Sequence, residues 1–204
     1  MSNAMVSTAE PIRPEPLDLS RASLADIATA VAERRLPPVD QWNPTHCGDS
    51  DMRIATDGTW FHMGTPIGRP ALVKLFSTIL RREADGSYVL VTPVEKLSID
   101  VADAPFLAVE ATSEGEGDSR TLAFRLLTGD LVVAGPDHPF RVETAADGTP
   151  RPYLHVRGPA DRPLEALVNR PVFYQLADLA LAEQERQGGP LGLWSGGAFF
   201  GFAD

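Results

Sequence analysis

One stretch of the chain, residues 52–80 (MRIATDGTWFHMGTPIGRPALVKLFSTIL), constrains the fold more than any other. Asp57-Gly58 lies between two short runs of strand-forming residues, which predicts a β-hairpin with a two-residue loop. In that register Arg53 faces His62. Because side chains alternate across a strand, one face of the hairpin would present Arg53, Trp60 and His62. The opposite, core-facing side would carry Met52, Ile54, Phe61 and Met63.

The polar face of this hairpin has the composition of a binding surface. An arginine, an indole and an imidazole side by side can bind a ring by stacking and an anion by charge. The alternative interpretation is structural: Trp60 covers a neighbouring domain, and Arg53 is a solvated edge residue. The sequence alone leaves both interpretations open.

An amphipathic helix should follow the hairpin. Arg69-Pro70 opens it, because proline is favoured at the first helical position. Arg81 and Arg82 would lie in its last turn, where cations interact favourably with the helix dipole. Lys74 points away from the apolar stripe. The stripe consists of Leu72, Leu75, Phe76, Ile79 and Leu80.

Composition limits the class of protein and its partners. The chain has 204 residues, 43% hydrophobic and 23% charged, so it should form one large or two small globular domains. Acidic residues outnumber basic ones by 28 to 18, and the net charge of −10 disfavours nucleic acid and anionic membranes as partners. The single cysteine, Cys47, fits a reducing compartment. Since no segment resembles a membrane span or a signal peptide, we expect a cytoplasmic protein.

The pattern of elements predicts an α+β protein of two domains. Residues 1–17, which begin with what resembles a cloning scar, would form a loose arm. Residues 18–95 would form the first domain, with a helix beginning at Ser23 and an apolar stripe at residues 24, 27, 28, 31 and 32. Residues 96–204 would form the second domain, with seven strands and a helix that opens at Arg170-Pro171 and is stopped by Gly188-Gly189-Pro190. The predicted strands are residues 97–101, 106–111, 122–127, 131–134, 140–143, 153–156 and 164–168.

The hairpin-to-helix pattern occurs twice in the sequence. Residues 52–59, with Asp57-Gly58-Thr59, resemble residues 140–149, with Asp147-Gly148-Thr149, and residues 60–63 resemble residues 153–156. Each copy precedes an Arg-Pro pair and a helix. We therefore predict an internal duplication. Its two faces of arginine, aromatic ring and histidine would meet in a cleft between the domains, a common place for ligand sites.

Several motifs also resemble a bacterial family called domain of unknown function 1285. The match rests on R-I-x-x-D-G-T-W, G-x-P-I-x-R, L-V-K-L-F-S-x-I-L, L-V-T-P-V-E-K, D-x-P-F, D-H-P and W-S-G-G, and covers the chain from about residue 18 to the end. The resemblance implies a two-domain protein with domain duplication. It also implies a C-terminal half similar to a pleckstrin-homology domain, an antiparallel barrel closed by a helix, with which the seven predicted strands agree. No established activity follows from it, although a nucleotide-like ligand at the domain interface, in signalling, is the role suggested for the family.

Motifs for catalysis or cofactor binding are weak in this sequence. It contains no G-x-G-x-x-G and no G-x-x-x-x-G-K-[ST], which disfavours standard dinucleotide and P-loop sites. Ser195 lacks the glycine spacing of G-x-S-x-G and is better interpreted as a turn residue. His46, Cys47, Asp49 and Asp51 offer metal-ligand atoms without metal-site spacing. We therefore expect neither a metal nor a cofactor, and a non-catalytic protein is favoured.

Histidines offer a weaker argument for acid–base chemistry. His62 and His155 could act near neutral pH, but a packed histidine on a half-buried face is the favoured interpretation. His138 precedes a proline and is interpreted as a turn residue.

The favoured function is that of a cytoplasmic binding protein with a small anionic, nucleotide-like ligand between its halves, with signal transduction as the suggested role. One alternative is a protein-interaction module that binds a partner peptide at a strand edge of the pleckstrin-like half. The other is a small-molecule phosphoesterase. The predicted ligand-binding residues are Arg53, Trp60, His62, Arg69, Lys74, Arg141, Tyr153, His155 and Arg157.

Overall fold

A computed structural model describes residues 36–202 of the chain. The predicted acidic arm and the helix predicted from Ser23 lie outside the described residues. Within the described range the chain forms fourteen strands and two α-helices. Neither of these two helices is long and apolar enough to cross a membrane.

The first half of the described chain forms a six-stranded, curled sheet with one helix. Its elements are β1 (His46–Ile54), β2 (Trp60–His62), β3 (Thr65–Pro66), α1 (Pro70–Thr78), β4 (Leu80–Arg82), β5 (Tyr88–Val91) and β6 (Glu95–Val101). The strand order is β3-β2-β1-β6-β5-β4. Neighbouring strands are antiparallel except β1 and β6, which pair in parallel.

The second half forms another six-stranded sheet, a long helix and a terminal hairpin. Its elements are β7 (Phe106–Glu114), β8 (Thr121–Leu126), β9 (Leu131–Val133), β10 (Phe140–Thr144), β11 (Pro150–Arg157), β12 (Leu164–Val168), α2 (Arg170–Gln187), β13 (Gly192–Ser195) and β14 (Ala198–Gly201). The order of the large sheet is β10-β11-β12-β7-β8-β9, and only β12 and β7 are parallel. β13 and β14 pair with each other.

The two sheets have the same topology. Replacing β1–β6 by β7–β12 converts the first strand order into β9-β8-β7-β12-β11-β10, which is the observed order of the second sheet. In each sheet the first strand pairs in parallel with the sixth strand. This arrangement is consistent with the predicted duplication.

The sequence likeness on which the predicted repeat rests, however, pairs strands that are not equivalent. It matched the β1–β2 hairpin with the β10–β11 hairpin, whereas the topology makes β10–β11 the counterpart of β4–β5. The Arg-Pro helices are not equivalent either, because α1 precedes the fourth strand and α2 follows the sixth. The likeness reflects a shared hairpin turn: the N–H of Gly58 donates to Ala55 and the N–H of Gly148 to Ala145, at 2.9 and 2.8 Å.

The border between the halves lies further along the chain than predicted. Residues 97–101 were assigned to the second domain, but β6 pairs with β1 and β5 of the first sheet. The border therefore falls between Val101 and Phe106 instead of at residues 95 and 96. All seven predicted segments are strands, yet the second large sheet has six strands because the first of them belongs to the other half.

The buried side chains of both sheets form one continuous hydrophobic core. α2 covers the second sheet with Val172, Phe173 and Leu176 buried. Its first turn is capped by Asn169, whose side chain accepts a hydrogen bond from the N–H of Val172 at 3.0 Å. Gly188, with φ of 71°, ends the helix as the sequence predicts.

α1 is shorter than predicted, and its apolar stripe is only partly buried. Arg81 and Arg82 lie in β4 instead of in the last turn of the helix. Leu72 and Leu75 remain 37% and 57% exposed, whereas Ser77 is fully buried. The face of α1 that meets the second half is therefore the one that carries Ser77.

Candidate functional site

The first hairpin has a register one residue away from the predicted one. Arg53 lies opposite Phe61, and Ile54 lies opposite Trp60. The N–H of Ala55 donates to Thr59 at 2.9 Å, so the loop holds three residues, 56–58, with the third in the left-handed region at φ of 80°. Because successive side chains alternate, this one-residue difference moves Trp60 to the opposite face of the hairpin.

The predicted binding face of the hairpin therefore does not form. Trp60 is 2% exposed and belongs to the core, while Arg53 is exposed with its guanidinium 4.5 Å from the centre of the Phe61 ring. His62 is exposed and lines a separate pocket of the first sheet. Trp60 lines a groove shared with Leu127 of the second half. The structural interpretation, with Trp60 against the neighbouring half and Arg53 at an exposed position, describes this arrangement.

The two cations predicted on the first helix have different surroundings. Arg69 is exposed and precedes α1. The Lys74 ammonium lies 4.0 Å from the Asp130 carboxylate of the second half, and the lysine side chain is 57% exposed. A pair with that much exposure contributes little to stability. Lys74 therefore lies at the seam between the halves, and Arg69 lies at the N-terminal end of α1.

Arg141 and Tyr153 form a compact network on the second sheet. They lie opposite each other on β10 and β11, with the guanidinium 4.7 Å from the ring centre. Arg141 also donates to both carboxylate oxygens of Glu165 at 3.0 and 2.9 Å. Burial by itself would lower the pKa of Arg141, but the pairing with Glu165 outweighs burial and raises this pKa. The Tyr153 hydroxyl donates to Asp103 at 2.8 Å, and burial together with that carboxylate raises the pKa of Tyr153.

His155 lies beside a second histidine that the sequence assigned to a turn. The two rings of His138 and His155 are 5.6 Å apart. Nδ1 of His138 is 3.2 Å from the carbonyl oxygen of His155 and can only donate to it, since a carbonyl accepts. Burial lowers the pKa of His138. His155 and Arg141 line one pocket of about 440 Å³, together with Asp137 and Glu165.

Arg157 joins the two halves. Its Nη2 donates to the main-chain carbonyl oxygens of Ser77, in the last turn of α1, and of Leu80, the latter at 3.4 Å. Its guanidinium carbon lies 5.4 Å from the centre of the Phe106 ring. Since α1 has no cation in its own last turn, Arg157 supplies positive charge at the negative end of the helix dipole.

Arg157 also belongs to a small pocket, here called the arginine pocket, that is built by both halves. Four arginines are among its lining residues, Arg81, Arg82, Arg157 and Arg162, together with one acidic residue, Asp40. Its volume of about 30 Å³ is enough for about two water molecules and too small for a nucleoside. The remaining wall consists of Val39, Leu80, Gly158, Pro159 and Leu164.

The arginines of this pocket differ in how firmly they are held. Arg81 is buried, donates from Nη1 to the carbonyl oxygens of Val39 and Trp42 at 2.7 Å each, and pairs with Glu83 at 2.7 Å. Arg82 lies over the Tyr88 ring at 5.5 Å. The Arg162 side chain is 30% exposed and lies 3.8 Å from the Asp161 carboxylate and 4.0 Å from that of Asp40. Arg82 and Arg162 are therefore the residues best able to turn toward a ligand.

Sequence reasoning found one of these four arginines. Arg157 was predicted, whereas Arg81 and Arg82 were assigned to a helix end and Arg162 was not considered. The Arg81-Arg82 pair just before the Asp85-Gly86 turn was the available signal, since a turn of that kind marks a hairpin. Of the other predicted ligand residues, Arg53, Trp60, His62, Arg69, Lys74, Arg141, Tyr153 and His155 do not line this pocket.

Ser195, a weak candidate for a nucleophile, has a structural role, and Cys47, a weak candidate for a metal ligand, is exposed. Ser195 is fully buried, accepts a hydrogen bond from the N–H of Leu122 at 2.8 Å and donates to the carbonyl oxygen of Ala134 at 2.7 Å. The W-S-G-G motif thus fixes the terminal hairpin to the second sheet. Cys47 is exposed in β1. In the part of the chain from residue 36 to 202, no group of three or more His, Cys, Asp or Glu side chains could hold a metal ion.

These features define a class of protein: an α+β chain with two half-barrel sheets of one topology, joined along a seam lined by arginines. A family model described as "Domain of unknown function (DUF1285), N-terminal domain" matches residues 37–104. A second, "Protein of unknown function (DUF1285), C-terminal domain", matches residues 105–202. The chain belongs to the DUF1285 family, and the border between the two family domains coincides with the border between the two sheets.

Solved structures of the same family are similar to this chain. A DUF1285 family protein from Silicibacter pomeroyi DSS-3 has 49% identity and a TM-score of 0.73, over 88% of this chain and 94% of that chain. A DUF1285 family protein from Shewanella baltica OS155 has 28% identity and a TM-score of 0.47, over 62% of this chain and 90% of that chain. No curated protein matches the chain.

Proposed function

We propose that this protein is a non-catalytic binding protein that recognises a small anionic group, such as the phosphate of a nucleotide-like molecule, in the arginine pocket between its halves. The observation that carries the proposal is the convergence of Arg81, Arg82, Arg157 and Arg162 from both halves on one small space. Guanidinium groups are the residues best suited to bidentate recognition of phosphate. The concentration of positive charge is notable in a chain whose net charge is −10.

The size of the pocket limits how such a ligand would bind. About 30 Å³ is too small for a nucleoside, so the rest of the molecule beyond its anionic group would extend over Arg82 and Arg162 toward solvent. A ligand held by both halves would favour the arrangement in which the halves lie closest, which is the physical basis for a signalling role. The single cysteine supports placing this function in the cytoplasm.

The test is thermal unfolding at low ionic strength with inorganic phosphate, AMP or uncharged adenosine added. A ligand that binds only the folded state raises its melting temperature. Phosphate and AMP should raise it, adenosine should not, and the double variant Arg82→Gln/Arg162→Gln should lose the shift. Arg53→Gln is the matched control, because Arg53 stacks on Phe61 as Arg82 stacks on Tyr88.

Two outcomes would overturn this proposal. One is the absence of a shift with either anion. The other is a shift that survives the double variant but is lost in Arg53→Gln, which would favour the hairpin residues predicted from the sequence. Titration with sodium chloride separates specific binding from charge screening, because a specific site retains its preference for phosphate over chloride.

A second candidate is a protein-interaction module formed by the second half. β10 (Phe140–Thr144) is at the edge of the sheet, with three of its five residues exposed, and an edge strand can accept a peptide as an added strand. The pleckstrin-like character that the family resemblance implies for this half would suit such a role, because pleckstrin-like folds can bind a peptide at a strand edge. Recovery of one stoichiometric partner, lost on Val142→Pro, would favour it over anion binding. A phosphoesterase has the least support, because Ser195 is buried and fully hydrogen-bonded.

A further inference from the structure

A second feature of the seam, here called the seam groove, is distinct from the arginine pocket. It has a volume of about 340 Å³ and lies where α1 begins, between the first hairpin and the second sheet. Trp60 and Val73 form part of its apolar wall, and Leu127 contributes from the second half while remaining 54% exposed. The complete lining is Gly58, Thr59, Trp60, Ile67, Gly68, Pro70, Val73, Leu127 and Thr128.

The seam groove and the arginine pocket lie at opposite ends of one face of α1. Pro70 and Val73 line the groove, and Ser77 accepts a hydrogen bond from Arg157 of the arginine pocket. Residues at positions i, i+3 and i+7 share a helix face, so this face runs along the seam. Since a helix rises 1.5 Å per residue, the two ends are about 10 Å apart.

The described chain begins beside the arginine pocket. Val39 and Asp40 are part of the pocket wall, and the carbonyl oxygen of Val39 is fixed by Arg81 at 2.7 Å. Residue 36 is therefore three residues away from a fixed point at the C-terminal end of α1. The preceding thirty-five residues connect to the molecule at this end of the seam.

The sequence of residues 23–35 suits the seam groove. It predicts an amphipathic helix whose stripe, at residues 24, 27, 28, 31 and 32, consists of leucine, isoleucine, valine and two alanines. Thirteen helical residues span about 20 Å, twice the length needed to reach the groove from residue 36. Two acidic and two basic residues leave the segment with no net charge, so it can cover apolar surface without bringing unbalanced charge to the seam.

We propose that the amphipathic helix predicted over residues 23–35 runs along α1 and packs its apolar stripe into the seam groove, against Leu127 and Val73. The segment then fastens the two halves together, since the groove is built by both. The exposed leucines on the other side of α1, Leu72 and Leu75, are not its docking surface, because they face away from the seam.

The proposal is tested in the full chain by disulfide formation in a Cys47→Ser background. Leu127→Cys is combined in turn with a cysteine substitution at each stripe position. Leu75→Cys replaces Leu127→Cys as the matched control, because the two leucines are 54% and 57% exposed but lie on opposite sides of α1. Glu33→Cys serves as the control on the opposite face of the predicted helix. The stripe positions substituted in this test are Leu24, Ile27 and Val31.

Under mild oxidation, at least one stripe position should form an intrachain disulfide with Leu127→Cys in high yield, because close approach of the two Cα atoms is required. Glu33→Cys should not form one. Crosslinking to Leu75→Cys instead, a covalent dimer, or no crosslink at any stripe position would each overturn the proposal. The first would place the segment on the outer face of α1, and the second would indicate a second copy of the chain in the groove.

A second measurement does not depend on disulfide geometry. Hydrogen–deuterium exchange of the peptide that contains residues 127–133 should be faster in Val31→Asp than in the unmodified chain, while Glu33→Ala should leave it unchanged. Equal exchange in all three proteins would count against docking even if a disulfide had formed.

Discussion

Arg157 of the second half donates a hydrogen bond to the main-chain carbonyl oxygen of Ser77 in the first half. This contact fixes the C-terminal end of α1 to β11, and the same arginine lies over the Phe106 ring. The residue therefore has a structural role at the seam.

Arg157→Ala should lower the free energy of unfolding by about 2 kcal/mol, since hydrogen bonds from charged groups contribute about 1.5–3 kcal/mol each. Arg157→Lys should recover only part of this, because an ammonium cannot reproduce the planar guanidinium geometry. Urea unfolding measures both. Arg186→Ala is the control: its side chain is 52% exposed, so a change within about 0.5 kcal/mol is expected. Equal effects of Arg157→Ala and Arg186→Ala would show that the seam contact does not contribute.

Gly58 and Gly148 form a matched pair of positions for measuring how tightly the second half packs against the first hairpin. Both follow an aspartate in the same type of turn, and both have φ of 80°. Alanine at either position costs about 1–2 kcal/mol for the left-handed backbone. A Cβ at residue 148 would meet nothing within 4 Å, whereas one at residue 58 would lie 2.7 Å from a methyl carbon of Leu127 and 3.3 Å from Cβ of Leu107.

Gly58→Ala should therefore be the more destabilising of the two by about 1 kcal/mol, the lower end of the cost of overpacking, because the exposed Leu127 methyl can move aside and the tight approach to Cβ of Leu107 at 3.3 Å remains. Urea unfolding of the two variants gives the difference directly. If the two costs are the same, the hairpin can move away from the second half without loss, and the contact at Leu127 is not tight.

His138 should make stability depend on pH. Burial lowers its pKa in the folded protein below the ordinary value of 6.5, against the hydrogen bond to the His155 carbonyl oxygen and the charge of Asp137, which both oppose this shift. The unfolded chain then binds more protons at pH values between the lowered pKa and 6.5, so stability is complete above that window and falls as pH decreases through it. Urea unfolding from pH 7.5 to pH 5 should show this decrease. In His138→Asn the slope should be smaller, and an unchanged slope would assign the effect to other groups.

Local structure was predictable from the sequence wherever short-range signals decide it. The seven strands predicted between residues 97 and 168 are all strands, because β-branched and aromatic runs bounded by glycine and proline specify extended backbone. α2 opens at Arg170-Pro171 and ends at Gly188 as predicted, since caps act within one turn. The family assignment from short motifs also holds for residues 37–202.

The binding face of the first hairpin was not predictable, because it depended on one residue of loop length. Asp57-Gly58 fits both a two-residue loop and a three-residue loop that ends in a left-handed glycine. The structure adopts the second, in which Trp60 pairs with Ile54 on the buried side. Because the local signal fits both registers equally well, it cannot decide which face of the hairpin carries Trp60. Burial of the indole in the core decided it.

The sequence by itself determined the strand segments between residues 97 and 168, the bounds of α2 and the family, because propensity, capping and turn chemistry act over a few neighbouring residues. The tertiary structure alone decided that β6 joins the first sheet and that four arginines, from Arg81 to Arg162, converge at one seam. Both results depend on pairing between segments far apart in the chain. The free energy of such pairing comes from burying apolar side chains from many distant segments in one core. A short stretch of sequence therefore does not reveal which segments will pair.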